Sequence, residues 1–228
     1  MNKRLETIAN MVQNGRGLID VGTDHGYLPV WLAQRGYTGV LYASDINSSP
    51  LASARKSARE AALAEDRIEF LLCDGLDSCP PERIDTIVIA GMGGDLICRI
   101  LDRAEWVLDG AYTLILQPMT KAEVLRYWLV NNGFCLREER LVRDETILYQ
   151  VLRAQYSQNM KLSDAELFAG AIENICTEPL CGEWLDSLIL RFEKEERGLL
   201  SSLKPEEGRL SICRSVKDGL LEMKGKIG

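Results

Sequence analysis

At 228 residues with 46% hydrophobic side chains, the chain is long enough for one ordinary domain plus a small appendage and too apolar to be globally disordered. Its net charge of −7 divides as −4 over residues 1–155 and −3 over 156–228, so neither part is a basic nucleic-acid module and a bound polyanion needs a local patch. The opening "MNKRLETIANMVQNG" has no long apolar run, and seven scattered cysteines share the chain with one histidine and form no C-x-x-C pair. The expectation is therefore a cytoplasmic protein with reduced thiols, no membrane segment and no metal; a monomer is favoured, with a dimer left open.

In chain order, Leu5, Ile8, Ala9 and Val12 recur at helical spacing. "GLIDVG" reads as a buried strand and "YLPVWLAQRG" as the helix after it. "GVLYASDI" is a second strand, and "SPLASARKSAREAALAEDR" a helix with Pro50 in its first turn, where its missing N–H is not needed. "IEFLLCDG" is a third strand and "IDTIVIAGMGG" the most apolar one, ending in glycines. "DLICRILDRAEWVLDG" is helical, "YTLILQP" a fifth strand, and "TKAEVLRYWLVNNG" a helix closed by glycine. "FCLREERLVRDE" and "TILYQVLRAQY" alternate like two antiparallel strands.

Strand–helix alternation implies parallel strands with crossover helices on both faces. A closing antiparallel pair is the ending of methyltransferase-type Rossmann sheets. The expected fold is thus α/β and Rossmann-like, with a mostly parallel seven-stranded sheet over residues 1–158. Residues 159–228 are expected to form a small helical domain. "SDAELFAGAIENIC" starts with Ser163 and Glu166 at capping-box spacing. Leu185, Leu188, Ile189, Phe192, Leu199 and Leu203 then form a stripe, residues 204–208 break it, and Leu210, Cys213, Leu220 and Met223 repeat it as the second arm of a hairpin.

The turn "DVGTDHGYLP" follows the first strand. Gly22 and Gly26 allow a sharp bend and a close ligand approach, and backbone N–H groups at the next helix start are candidate donors. The dinucleotide pattern G-x-G-x-x-G is broken because Asp24 replaces its middle glycine, and a carboxylate repels a pyrophosphate. S-adenosylmethionine suits the turn better, having no phosphate and a cationic sulfonium and ammonium. Asp20 begins the turn, Asp45 ends the second strand where an acid accepts ribose hydroxyls, and Asp74 with Gly75 ends the third, where an acid accepts from an adenine amino group. Each has a plainer reading, as a tight turn, a helix cap or an Asp-Gly turn. Ala90, Gly91, Met92 and Gly93 end the fourth strand in place of the Asn/Asp-Pro-Pro-aromatic loop of many base methylases.

The segments "DVGTDHGYLP", "ASDINSSPL", "CDGL", "IAGMGGDLI" and "LILQPM" follow one another in this order, and with them the chain resembles the bacterial TrmK-type tRNA (adenine(22)-N(1))-methyltransferases over nearly its whole length. Asp45 stands where some members have Glu. The resemblance implies S-adenosylmethionine-dependent methylation of N1 of adenosine 22 in the tRNA D-arm. It adds Thr23 and Ile46 to the cofactor contacts and places Asp24, His25 and Tyr27 where methyl and base meet. Asp24 is the candidate for stabilising positive charge on the product base, His25 for orienting it and Tyr27 for stacking on it. Lys3, Arg4, Gln117, Pro118, Lys121 and Arg126 are expected around the tRNA opening. Arg209, Arg214, Lys217 and Lys224 of the hairpin either reach along the tRNA or line a dimer surface. The competing functions are a small-molecule methyltransferase and a non-catalytic RNA-binding protein with a vestigial cofactor fold.

Overall fold

β1 (Gly17–Val21) is buried along its whole length, so each face of the strand needs its own cover. Leu18 packs on one side with α1 (Lys3–Met11), α2 (Tyr27–Gln34) and their neighbours, while Ile19 and Val21 pack on the other. Side chains alternate along a strand, so the apolar run "GLIDV" feeds two cores and sets Asp20 on the face of Leu18. The computed structural model describes residues 2–110, 112–157, 160–201 and 207–227.

β2 (Val40–Asp45), α3 (Ser48–Glu60), β3 (Ile68–Leu72), β4 (Thr86–Gly93), α4 (Gly94–Arg103), β5 (Thr113–Thr120), α5 (Ala122–Asn131), β6 (Phe134–Asp144) and β7 (Ile147–Tyr156) complete the first part. The seven strands lie in the order β3-β2-β1-β4-β5-β7-β6. β7 alone runs against its neighbours and slots between β5 and β6, so β6 is parallel to the main sheet. The chain winds outward from β1 through β2 to β3, then returns to pair β4 on the other side of β1. That reversal opens a crevice at the C-terminal ends of β1 and β4, where doubly wound sheets hold ligands.

β5 extends two residues past its expected end, and β4 and β5 carry paired irregularities. Ala90 pairs Gln117 and Met92 pairs Pro118, which leaves Gly91 as an extra residue on β4. Gly93 then pairs Thr120, which leaves Met119 as an extra residue on β5. Each bulge re-aims the chain. Gly91 takes φ +79°, a left-handed value suited to glycine, and Met119 is turned out to solvent.

The C-terminal part holds α6 (Asp164–Ala169), α7 (Ile172–Ile175), α8 (Cys181–Leu200) and α9 (Glu207–Gly225). The expected boundary between 158 and 159 lies outside the described residues, as do Leu203 and residues 204–206 of the expected break. The Ser163–Glu166 capping box is present in both directions. The segment that follows it divides at Gly170 (φ +109°), where a Cβ would stand 2.8 Å from Ile175 Cγ2 and 3.1 Å from both carboxylate oxygens of Glu139. Leu185, Leu188, Ile189 and Phe192 of α8 are buried against Cys213, Val216, Leu220 and Met223 of α9, together with Leu141 of β6. Among the described residues, no helix is long and apolar enough to cross a membrane, and no cluster of His, Cys, Asp and Glu is suited to a metal ion. Cys73, Cys79, Cys98, Cys181 and Cys213 are buried free thiols, and burial pushes Cys79 up to about 12 and Cys98 and Cys181 to about 11, which leaves them unreactive.

Candidate active site

The β1–α2 turn makes three left-handed steps: Gly22 at φ +73°, Asp24 at +52° and Gly26 at +68°. Aspartate tolerates this region better than most side chains. The Gly22 and Thr23 N–H groups both donate to the carbonyl of Ser44, at 2.8 and 3.0 Å, so these amides anchor the turn to β2 and are spent before any ligand arrives. The two glycines differ in purpose. A Cβ on Gly22 would strike the Met92 methyl group, which keeps the floor of the crevice low. A Cβ on Gly26 would come within 2.8 Å of Ala54, so Gly26 lets α2 and α3 pack closely.

A cleft of about 250 Å³ opens over the turn, lined by Arg4, Asp20, Thr23, Asp24, His25 and Tyr27 with Ala90 and Gly91 opposite. Asp20 is 6% exposed. Burial pushes its carboxyl up to about 6, and the Thr23 hydroxyl, donating to Oδ2 at 2.6 Å, pulls the other way. Asp24, His25 and Tyr27 stand at the rim. The Asp24 carboxylate is 74% exposed and 3.7 Å from His25 Nε2, and the His25 and Tyr27 rings stack at 5.2 Å. Asp45 at the end of β2 accepts the Asn47 N–H through Oδ1 at 2.8 Å, and its other oxygen has no hydrogen-bond partner among the described residues. Ile46 beside it is exposed and apolar. Arg103 bridges Asp74 and Asp77 at the surface, engaging Oδ2 of Asp74 at 2.7 Å.

The glycines after β4 also divide. Around Gly91 a Cβ would meet only Arg4, at 3.7 Å, so that position borders open space. A Cβ on Gly93 would stand 2.9 Å from Asp95 Oδ1 and 3.2 Å from Thr120 Oγ1, so Gly93 packs the β5 turn.

The expected tRNA-facing residues scatter. Lys3 is exposed on α1, and Arg4 reaches the cleft. Gln117 and Pro118 are buried, and neither lines this cleft. Gln117 acts as a brace: its Oε1 accepts from Arg4 Nη1 at 2.5 Å and from the Gly91 N–H at 3.1 Å, and its Nε2 donates to the Pro118 carbonyl at 3.0 Å. Lys121 pairs with Asp95 at 3.1 Å. Arg126 is fully buried, which overturns its expected place at the surface. It binds Glu139 at 2.7 Å and donates to the Leu167 carbonyl, while Glu139 accepts from the Ala171 N–H. A charge fully removed from water needs such a partner, and this pair ties α5 and β6 to α6. The hairpin cations are spoken for too: Arg209 pairs with Glu195, Arg214 and Lys217 with Glu196, and Lys224 with Asp186. Sequence spacing gave no sign of the Gln117 brace or of Tyr149, whose ring lies under Arg4, because both depend on contacts between distant segments.

A family model described as "Methyltransferase domain" matches residues 1–152. The tRNA (adenine(22)-N(1))-methyltransferase of Bacillus subtilis is 34% identical over 155 residues, which cover 68% of this chain and 65% of that protein; the match thus spans just under two thirds of the relative's length. The crystal structure of the B. subtilis m1A22 tRNA methyltransferase TrmK superposes with a TM-score of 0.87 at 26% identity over 98% of each chain. That of Streptococcus pneumoniae Sp1610, a putative tRNA (m1A22) methyltransferase in complex with S-adenosyl-L-methionine, gives 0.80 at 30% identity, covering 98% of this chain and 99% of that one.

Proposed function

The chain belongs to the methyltransferase domain family, in its TrmK-type branch, and from that premise we propose that it methylates N1 of adenosine 22 in tRNA with S-adenosylmethionine as donor. The observation that carries this reading is the row at the C-terminal edge of the sheet. It runs from buried Asp20, through the low floor at Gly22 and the open border at Gly91, to Asp45 and the exposed Ile46. A sulfonium nucleoside matches it end to end: Asp20 holds the ammonium, Gly22 and Gly91 give the chain room, Asp45 holds the ribose, and Ile46 covers a face of the adenine. When bound, the cofactor supplies an electrophilic methyl group.

N1 of adenine carries a lone pair, so the protein needs no covalent nucleophile. Orientation of the two reactants is the main contribution open to it, worth up to ~7–11 kcal/mol in well-aligned systems. Tyr27 and His25, already stacked on each other, offer an aromatic surface for the extruded base. Methylation leaves the adenine cationic. Asp24 stands at the rim to stabilise that charge or take a proton from the amino group. Its carboxylate is too exposed for a strong field in the free protein, so its effect grows only when the RNA displaces water from the rim.

The direct test is methyl transfer from labelled S-adenosylmethionine to an unmodified tRNA transcript and to its A22G counterpart. Label in the first and none in the second is expected. Equal labelling of both, or labelling of neither, refutes the assignment.

A further inference from the structure

A second concavity, a groove of about 280 Å³, runs from the end of β5 to α8 between Met119, Tyr149, Phe168, Trp184 and Arg191, with Glu123 on its wall. It begins where the cleft stops. Arg4 lines the cleft, and its guanidinium carbon lies 5.7 Å from the centre of the Tyr149 ring. Cleft and groove are thus separated by one pair of side chains.

The groove has the chemistry of a nucleotide site. Its lip is apolar and wet: Met119, turned out by the β5 bulge, and Ile147 are about half exposed. Its aromatic wall is rigid, because the Trp184 indole N–H donates to the Ala169 carbonyl at 2.9 Å. Its charge is unspent. Unlike the paired cations of α9, Arg191 has no carboxylate partner among the described residues; it lies over the Phe168 and Phe192 rings at 5.7 and 5.6 Å. A guanidinium resting on ring faces keeps its N–H fork for a phosphate. Lys194, three residues on and exposed, extends the positive charge along the same side of α8.

We propose that this groove receives an unstacked nucleotide of the tRNA next to the target adenosine, its base against Trp184 and Tyr149 and its phosphate on Arg191. The proposal rests on the tRNA reading above and deepens it. Taking the target base out of its stack strips a neighbour of its stacking partner. An aromatic surface beside the cleft offsets that loss, and stacking of this kind tolerates any base. Glu123 accepts a hydrogen bond and so favours a base with an N–H on its exposed edge.

Steady-state methylation of an unmodified tRNA transcript by the full-length protein tests this. Arg191→Ala is expected to raise the KM for tRNA about fivefold to tenfold and to flatten the log–log salt dependence of tRNA affinity by about one phosphate contact. Its kcat should stay within about twofold and its S-adenosylmethionine affinity should not move, since the groove touches only RNA. Trp184→Leu keeps the wall apolar while removing the ring and should raise the KM by a similar factor. Arg35→Ala removes a cation at the far edge of the sheet, after α2, and should change neither constant. If the wild type methylates tRNA and neither Arg191→Ala nor Trp184→Leu shifts the KM or the salt slope, the groove is not a nucleotide site. If the wild type binds S-adenosylmethionine but leaves tRNA unlabelled, the functional reading itself falls, and this subsite with it.

Discussion

Replacing Asp20 by asparagine should separate the fold's need for this residue from the cofactor's. In the folded protein the carboxyl titrates at about 6, against 3.8 for the unperturbed group, because burial disfavours its charged form. Between those values the folded chain holds a proton that the unfolded chain has lost. The contribution of Asp20 to stability is therefore fully present below about pH 4 and is lost as pH rises to about 6. At pH 7 the ionised, ligand-free side chain costs roughly 3 kcal/mol. The amide of Asp20→Asn would fill the same space, keep an acceptor for the Thr23 hydroxyl and avoid that cost, so the variant should unfold at higher urea than the wild type at pH 7. Cofactor binding should respond in the opposite sense. A cationic ligand favours ionised Asp20, so wild-type affinity for S-adenosylmethionine should improve as pH rises through 6 and be roughly tenfold weaker at pH 5 than at pH 7. Titration calorimetry at pH 5, 6 and 7 on both proteins reads this directly. A flat wild-type profile, or an asparagine variant that binds as tightly as the wild type at pH 7, would refute the assignment of Asp20 to the ammonium.

Asp24→Asn keeps a residue that tolerates φ +52° and removes only the charge; kcat for tRNA methylation should fall more than about tenfold while the tRNA KM holds, as expected for an interaction made mainly in the transition state. An Asp24→Asn enzyme with wild-type kcat would remove this carboxylate from the chemistry. Asp45→Ala should weaken S-adenosylmethionine binding by about tenfold, the scale of one lost charge-assisted hydrogen bond, and calorimetry at pH 7 checks it. Arg126→Ala strands Glu139 in the core and should cost about 3–5 kcal/mol of stability in urea unfolding, whereas a residue serving only tRNA would leave the midpoint unchanged.

Local chemistry explains why so much of the fold was readable in advance. The apolar runs "GLIDV" and "TIVIA" are strands covered on both faces, and the period-3.6 stripe from Leu185 to Phe192 is the buried seam of α8. The capping box at Ser163 involves residues three apart and needs no tertiary context. The left-handed turn after β1 was visible for the same reason, because glycine and aspartate announce such backbone themselves. The division at Gly170 was not, since the contacts that exclude a Cβ there, Ile175 at 2.8 Å and the Glu139 carboxylate of β6 at 3.1 Å, form only in the fold.

The candidate site divides along the same line. The acids at the strand ends and the residues of the "DVGTDHGYLP" turn could be placed from the chain alone, because strand–helix alternation delivers every strand's C-terminal end to one edge. Cationic residues gave no such guide. In a sequence Arg126 and Arg191 look alike, two arginines on amphipathic helices. The fold buries the first against Glu139, because α5 meets β6 and α6 at that point, and leaves the second resting on two phenylalanine rings beside an open groove. Periodicity states which side of a helix is apolar, and residue chemistry states what a turn can do. Which charge meets an opposite charge is decided by packing between segments tens of residues apart, and only the tertiary structure could show which cations are already neutralised and which are not.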